Sequence, residues 1–210
     1  MARMRQEEKK SAEKLEQSFI RLQNTIEGIV SAIAKMVENR DPYTAGHQKR
    51  VALLSTAIAQ EMGFSDIAIQ GLRFAAILHD IGKVNVPVEI LVKPTKLTDD
   101  EFSIIKLHSL IGYEILNQIP FPWPVSRIVL QHHERLNGSG YPDGLKEQDI
   151  LLEAKIIAVA DVVEAMAYDR PYRPALGIDN ALKEIKNKSD ILFDRNIVEI
   201  CIKLFKEKGF

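Results

Sequence analysis

The sequence predicts an all-α fold, a helical bundle preceded by one long, coiled-coil-like helix. Two patterns and one absence predict it. Leu15, Phe19, Leu22, Ile26, Ile29, Ile33 and Met36 recur at steps of 4, 3, 4, 3, 4 and 3, the heptad rhythm of a supercoiled seam. Beyond residue 40, apolar residues continue at helical spacing between cap and turn residues. No segment shows the run of strict alternation that marks half-buried strands.

Taken in order, residues 1–40 read as the amphipathic helix and 41–210 as a second, catalytic unit. Asp41-Pro42 ends the first helix, because proline disfavours helical geometry at the residue before it. A second helix carries His47, Val51, Leu54, Ile58 and Met62, and Gly63 suits the position just past its end. Ser65 caps a third helix that runs through Leu72, Ala75 and Leu78 to His79-Asp80. Thr98 and Glu101 have the spacing of a capping box ahead of Ile104, Ile105, Ile111 and Ile115. Pro120, Pro122 and Pro124 fence the next helix, which holds Ile128, Val129 and the pair His132-His133. A turn-rich loop follows from Asn137 to Gly144, then an apolar helix from Leu151 to Tyr168 containing Asp161, then two final helices.

Composition narrows the function classes. With 46% hydrophobic residues in 210, the chain can fill a sizeable core. A net charge of −1 gives no global reason to bind nucleic acid or an anionic membrane, so any phosphate recognition must be local. Cys201 is the single cysteine, which excludes an internal disulfide and a multi-cysteine metal site, and its apolar neighbours Ile197, Val198, Ile200 and Ile202 mark it as a small buried residue. No uncharged apolar stretch reaches the ~18 residues of a membrane span, and the expectation is a soluble, cytoplasmic protein.

The chemistry is carried by histidine. All five, His47, His79, His108, His132 and His133, fall on predicted helices or helix ends, and none lies in the first helix or the last two. Helices can send such side chains to one common centre. Adjacent helical residues point ~100° apart, so His132 and His133 act together only at a helix end or on different parts of an extended site. Five imidazoles with Asp80 and Asp161 exceed the three or four ligands of one histidine-rich ion and suit two. A carboxylate such as Asp80 can bridge ions ~3.5–4 Å apart, as in hydrolytic two-metal sites. Imidazole with carboxylate favours manganese, iron or zinc over calcium or magnesium. Lys83, a turn past His79, can place an ammonium beside the metals, and Arg170 with Arg173 can form an anion clamp.

At these residues the chain resembles a known family. His79-Asp80-Ile81-Gly82-Lys83 is similar to the motif of the HD superfamily of metal-dependent phosphohydrolases. His132-His133-Glu134-Arg135-Leu136-Asn137-Gly138-Ser139-Gly140-Tyr141-Pro142 matches HHExxxGxGYP, the pattern of the HD-GYP subgroup, and is the more specific signal. Asp41 to His47, Asp161, and Asp169 to Pro174 resemble the family in order and spacing, so the likeness spans roughly residues 38 to 205. It implies an HD-type helical bundle extended by GYP-region helices, with two divalent transition-metal ions, iron or manganese first, zinc, nickel or cobalt next. It implies one metal held by His47, His79, Asp80 and Asp161 and a second by Asp80, His108, His132 and His133. It also implies that Asp80 and Lys83 serve catalysis, and that Lys83, Tyr141, Arg170 and Arg173 contact the substrate. The reaction implied is hydrolysis of cyclic di-GMP to the linear dinucleotide or GMP.

The chain departs from the family at several positions. Tyr43 stands where relatives that hold a third metal carry glutamate, so two metals are expected. Leu136, Asn137, Val88 and Arg195 also differ from common family residues, none at a ligand position. Two other readings accompany the main one: a poorly active metal-binding interaction or sensing module, and an HD phosphohydrolase for another nucleotide such as cyclic GMP-AMP. Glu134 is expected to orient a histidine. The seam of the first helix predicts a homodimer and an upstream sensor domain.

Overall fold

Helix α1 (Ala2–Glu38) is a single helix of 37 residues. In this computed structural model, which describes residues 2–40, 46–168 and 175–210 (2–8 as backbone alone), it meets the rest of the chain only toward its C-terminal end. There Val30, Ala34 and Val37 are buried, while Leu15, Phe19, Leu22, Ile26, Ile29 and Met36 of the heptad seam are exposed. The packed face is thus offset from the seam, of which only Ile33, partly buried, packs on the core among the described residues. Glu38 accepts the backbone N–H of Gly46 at 3.1 Å, and Arg40 donates to the carbonyl of Val86 at 3.2 Å, which fixes the end of α1 to the segments that follow.

The bundle comprises α2 (His47–Glu61), α3 (Asp66–Leu78), a 3₁₀ turn Ile81–Asn85, the short α4 (Val88–Leu91), α5 (Asp99–Leu116), α6 (Val125–Gln131), a 3₁₀ turn Glu147–Asp149, α7 (Leu152–Ala167), α8 (Ile178–Asn187) and α9 (Arg195–Glu207). Among the described residues there is no strand, only the isolated bridges Asn137 to Lys146 and Ser189 to Phe193. The expected stops and starts form. Gly63 adopts φ 78° just past α2, and Ser65 accepts the N–H of Ala68 at 3.3 Å. Thr98 and Glu101 exchange both bonds of a capping box, at 3.2 and 2.8 Å.

Helix α7 is the axis of the core. Ala154, Ile156, Ile157, Ala158, Val159, Ala160 and Val163 are all buried, so residues 156–160 are apolar through more than a full turn, as the centre of a core helix must be, while Glu153 and Lys155 of the first turn are only partly buried. It packs against α2, α8 and α9, and α2 in turn packs on α3. Burying each isoleucine contributes about 1.5–3 kcal/mol. Cys201 is fully buried, in agreement with its apolar surroundings in sequence.

The end of α3 falls close to the expected His79-Asp80. Helix α3 stops at Leu78, His79 caps it, and the chain tightens into the 3₁₀ turn after Asp80. This turn lies against α5. A Cβ on Gly82 would stand 1.9 Å from the carbonyl oxygen of His108 and 2.8 Å from the nitrogen of Gly112, so only glycine lets this turn lie against the α5 backbone.

Candidate metal centre and active site

Five segments deliver the candidate ligands to one place. His47 opens α2, His79 ends α3 with Asp80 beside it, His108 lies in α5, His132 caps α6 with His133 after it, and Asp161 lies in α7. His132 and His133 therefore occupy a helix end, the arrangement that lets neighbours in sequence converge. Ligand atoms of His47, His79 and Asp80 lie within 4.8 Å of one another, as do those of His108, His132 and His133. Asp80 stands between the groups: Oδ2 is 3.5 Å from His79 Nε2 and 3.9 Å from His47 Nε2, and Oδ1 is 3.7 Å from His108 Nε2. Asp161 Oδ1 is 3.3 Å from His47 Nε2.

The ring orientations are set by the backbone. His79 Nδ1 donates to the Ala76 carbonyl at 2.8 Å, His108 Nδ1 to Ile105 at 2.7 Å and His132 Nδ1 to Val129 at 2.5 Å. A carbonyl can only accept, so the proton of each neutral ring is on Nδ1 and the lone pair is on Nε2. His108 Nε2 and His132 Nε2 then face each other at 3.3 Å as two acceptors. Neutral rings gain nothing from that approach, whereas a cation between them satisfies both. The residues present fit a metal.

Electrostatics divides the two groups. Burial, then the neighbouring imidazoles, pushes His132 and His133 well below the ordinary histidine range, and burial also lowers His108. Burial would lower His47 too, but hydrogen bonds to Asp161 and Glu164 more than offset it and raise that ring to about 9. Burial of itself raises Asp80, yet Lys83, His79, His108 and His47 hold its carboxyl well below the usual carboxylate range. Asp161 is held low against burial chiefly by His47.

The remaining expected residues fall around this centre. Lys83 Nζ lies 2.8 Å from Asp80 Oδ2, its side chain largely buried. The Tyr141 ring lies over His133, centroids 4.7 Å apart and planes 30° apart. Gly140 lets the loop close on it, since a Cβ there would stand 2.4 Å from the Cα of Glu134 and 2.5 Å from the nitrogen of Arg135. Arg170, Arg173 and Tyr43 lie outside the described residues.

Glu134 corrects its expectation. Its carboxylate accepts the backbone N–H groups of Asp143 at 2.8 Å, Gly144 at 3.1 Å and Leu145 at 2.9 Å, so it braces the loop rather than a histidine. The carboxylate that does meet an imidazole is Glu164, whose Oε2 pairs with His47 Nδ1. Its other oxygen takes Arg50 Nε at 2.8 Å. Sequence reasoning missed both, though Glu164 follows Asp161 by three residues on α7 and Arg50 follows His47 by three on α2, which places each pair on one helix face. Lys106 was also missed; its ammonium is 5.7 Å from the Tyr141 ring centre.

Residues 31–197 match the HD domain family. The chain is 41% identical over 194 residues to a cyclic di-GMP phosphodiesterase of Thermotoga maritima, covering 91% of this chain and 53% of that protein. It is 43% identical over 158 residues to a 3'3'-cGAMP-specific phosphodiesterase of Vibrio cholerae, covering 75% of this chain and 34% of that one. The chain thus spans about half the length, or less, of these relatives. Among solved structures, an HDG"Y"P protein from Bdellovibrio bacteriovorus shares the fold, with TM-score 0.64 and 24% identity over 76% of this chain and 51% of that one. With its motif-bearing histidines gathered at one centre and this family match across most of its length, the chain belongs to the HD domain family, in the HD-GYP group.

Proposed function

We propose that this protein is a metal-dependent phosphodiesterase that hydrolyses cyclic di-GMP to the linear dinucleotide or GMP. One observation carries the reading: His108 and His132 turn unprotonated Nε2 atoms on each other at 3.3 Å beside Asp80, an arrangement that asks for a cation. The donor set supports two divalent transition-metal ions, iron or manganese before zinc, nickel or cobalt, one on His47, His79, Asp80 and Asp161 and one on Asp80, His108, His132 and His133. Bound there, such ions supply Lewis acidity, acidifying water and neutralising charge on a phosphoryl group.

The chain's own residues do the rest. The backbone carbonyls of Ala76, Ile105 and Val129 hold three rings in ligand geometry before any metal arrives. Asp80, ionised at neutral pH, offers one oxygen to each ligand group. Lys83 sets its ammonium against Asp80, where it can meet a phosphate oxygen as charge develops. Tyr141 presents a ring, braced through its loop by Glu134, on which a purine can stack. Arg170 and Arg173 supply the anion clamp for the phosphates.

A second substrate, cyclic GMP-AMP, is favoured by the name of the Vibrio cholerae relative. The test is a panel of cyclic di-GMP, cyclic GMP-AMP and the linear dinucleotide, with protein purified anaerobically and loaded with iron or manganese. Faster turnover of cyclic di-GMP supports the main reading and faster turnover of cyclic GMP-AMP the second. Metal-loaded protein that cleaves neither is a binding or sensing module instead.

Further parts of the proposal concern organisation. Residues 1–40 form a dimerising helix and 41–210 the catalytic domain, because exposure of Leu15 (73%), Leu22 (58%) and Ile29 (55%) leaves a heptad seam for a second copy. Sedimentation as a strict monomer at micromolar concentration would refute the dimer. An upstream sensor domain accords with a chain that spans about half of the Thermotoga maritima relative. No described helix is long and apolar enough to cross a membrane, and we place the protein in the cytoplasm.

A further inference from the structure

Helices α2 and α7 meet along a line of polar side chains, of which Arg50, Glu164 and Tyr168 lie outside the sequence motifs. His47 and Arg50 lie three apart on α2, and Asp161, Glu164 and Tyr168 follow at steps of three and four at the C-terminal end of α7. His47 shows one ring nitrogen to the metal centre, with Nε2 3.3 Å from Asp161, and gives the other to Glu164. Glu164 is almost fully buried, and Arg50 grips its second oxygen through Nε at 2.8 Å and Nη2 at 2.5 Å. The same guanidinium lies over the Tyr168 ring, 4.1 Å from its centre. Tyr168 caps α7 and directly precedes the segment 169–174, which carries Arg170 and Arg173 in the sequence.

His47 differs here from its partners. His79, His108 and His132 each lean on a carbonyl of their own helix, three residues back. His47 is the first residue of α2, so α2 itself offers it no carbonyl three residues back, and its Nδ1 meets Glu164 of α7 instead. A carboxylate does this more strongly than a carbonyl and makes the imidazole a better donor to a metal. It is also movable, and its position depends on Arg50. A guanidinium is suited to the double task, because its edge donates in a fork while its face stacks on an aromatic ring.

We propose that Glu164 and Arg50 are positioning residues: Glu164 orients His47 as a metal ligand, and Arg50 couples that ligand, through Tyr168, to the start of the substrate-binding segment. The inference rests on the two-metal reading given above. A plain strut between α2 and α7 would predict something else, namely a loss of thermal stability with no change in metal affinity or KM.

The test measures metal affinity by chelator competition, the melting temperature of the metal-free protein, and kcat and KM, in wild type, Glu164→Gln, Glu164→Ala, Arg50→Lys and Tyr168→Leu. Loss of an outer partner of a metal-bound histidine typically weakens metal binding about 10- to 100-fold. Glu164→Ala should show that loss for one of the two ions and spare the other, and Glu164→Gln, which retains an acceptor, should recover part of it. Tyr168→Leu should keep both ions and raise KM several-fold. Arg50→Lys, which keeps the charge but loses the fork and the stacking face, should do some of each. Glu164 variants that bind both ions as wild type does, or that lose melting temperature alone, overturn the inference and leave the metal site standing. Wild-type protein that binds no transition metal overturns the metal site and this inference together.

Discussion

Gly82→Ala is a single-methyl change that reports on the whole site. Its Cβ would stand 1.9 Å from the His108 carbonyl oxygen, 2.7 Å from its carbon and 2.8 Å from the Gly112 nitrogen, all backbone atoms that no rotamer change can move. To reach an ordinary contact of about 3.4 Å, the turn and α5 must separate by about 1.5 Å. Overpacking of this kind costs about 1–3 kcal/mol. For a chain of this size that lowers the melting temperature by roughly 4–8 °C at the middle of the range. The larger effect is on chemistry, because the displaced carbonyl belongs to His108, whose Nε2 meets His132 at 3.3 Å and Asp80 at 3.7 Å. A misplacement of about 1 Å costs on the order of 100-fold in rate. The assay pairs thermal melting of the metal-free protein with turnover of a cyclic dinucleotide under saturating metal. Gly28→Ala is the control: nothing lies within 4 Å of its Cβ, and in mid-helix it should stabilise α1 by up to about 1 kcal/mol. A Gly82→Ala protein that melts like wild type and keeps full turnover would refute the close-approach argument.

Two further predictions follow from the electrostatics and the loop. In the metal-free protein His47 is raised to about 9, so the stability it contributes is complete below the unfolded histidine value of about 6.5 and is lost as pH climbs through about 9. His132 and His133 are lowered and contribute the opposite sign, with stability lost as pH falls below about 6.5. Melting temperature against pH should therefore peak near about 6.5 and fall on both sides, and a steady rise from pH 6.5 to 9 would contradict the His47 assignment. Glu134→Ala removes the acceptor of three backbone N–H groups, at about 1 kcal/mol or more each. It should destabilise by about 3 kcal/mol and raise KM through Tyr141 while both metals stay bound; loss of metal would return Glu134 to the role of a histidine partner.

Much of this was legible in the sequence because it depends on local rules. The caps at Ser65 and Thr98, the stop at Gly63 and the buried Cys201 follow from residue type and spacing, and the structure keeps them. Five of the seven candidate ligands, His47, His79, Asp80, His132 and His133, sit at helix ends, where the chain can aim side chains inward, and they meet His108 of α5 and Asp161 of α7. What was not legible depends on which helix faces which. Glu134 stands beside two histidines in sequence, yet it turns away to brace residues 143–145, while Glu164, distant in sequence, reaches His47 across the α2–α7 contact. The close fit of Gly82 against the α5 backbone is likewise a tertiary contact that no local signal announces.

In the proposed function, Asp80, between the two ligand groups, helps to hold a metal pair that cuts a cyclic dinucleotide. The direct measurement is metal content and cyclic di-GMP hydrolysis on the same anaerobically purified sample, for wild type and Asp80→Ala. About two ions per wild-type chain with turnover are expected, and loss of turnover with loss of metal in the variant. Turnover that survives in Asp80→Ala, or two bound ions in wild type with no cyclic dinucleotide cleaved, would contradict that function.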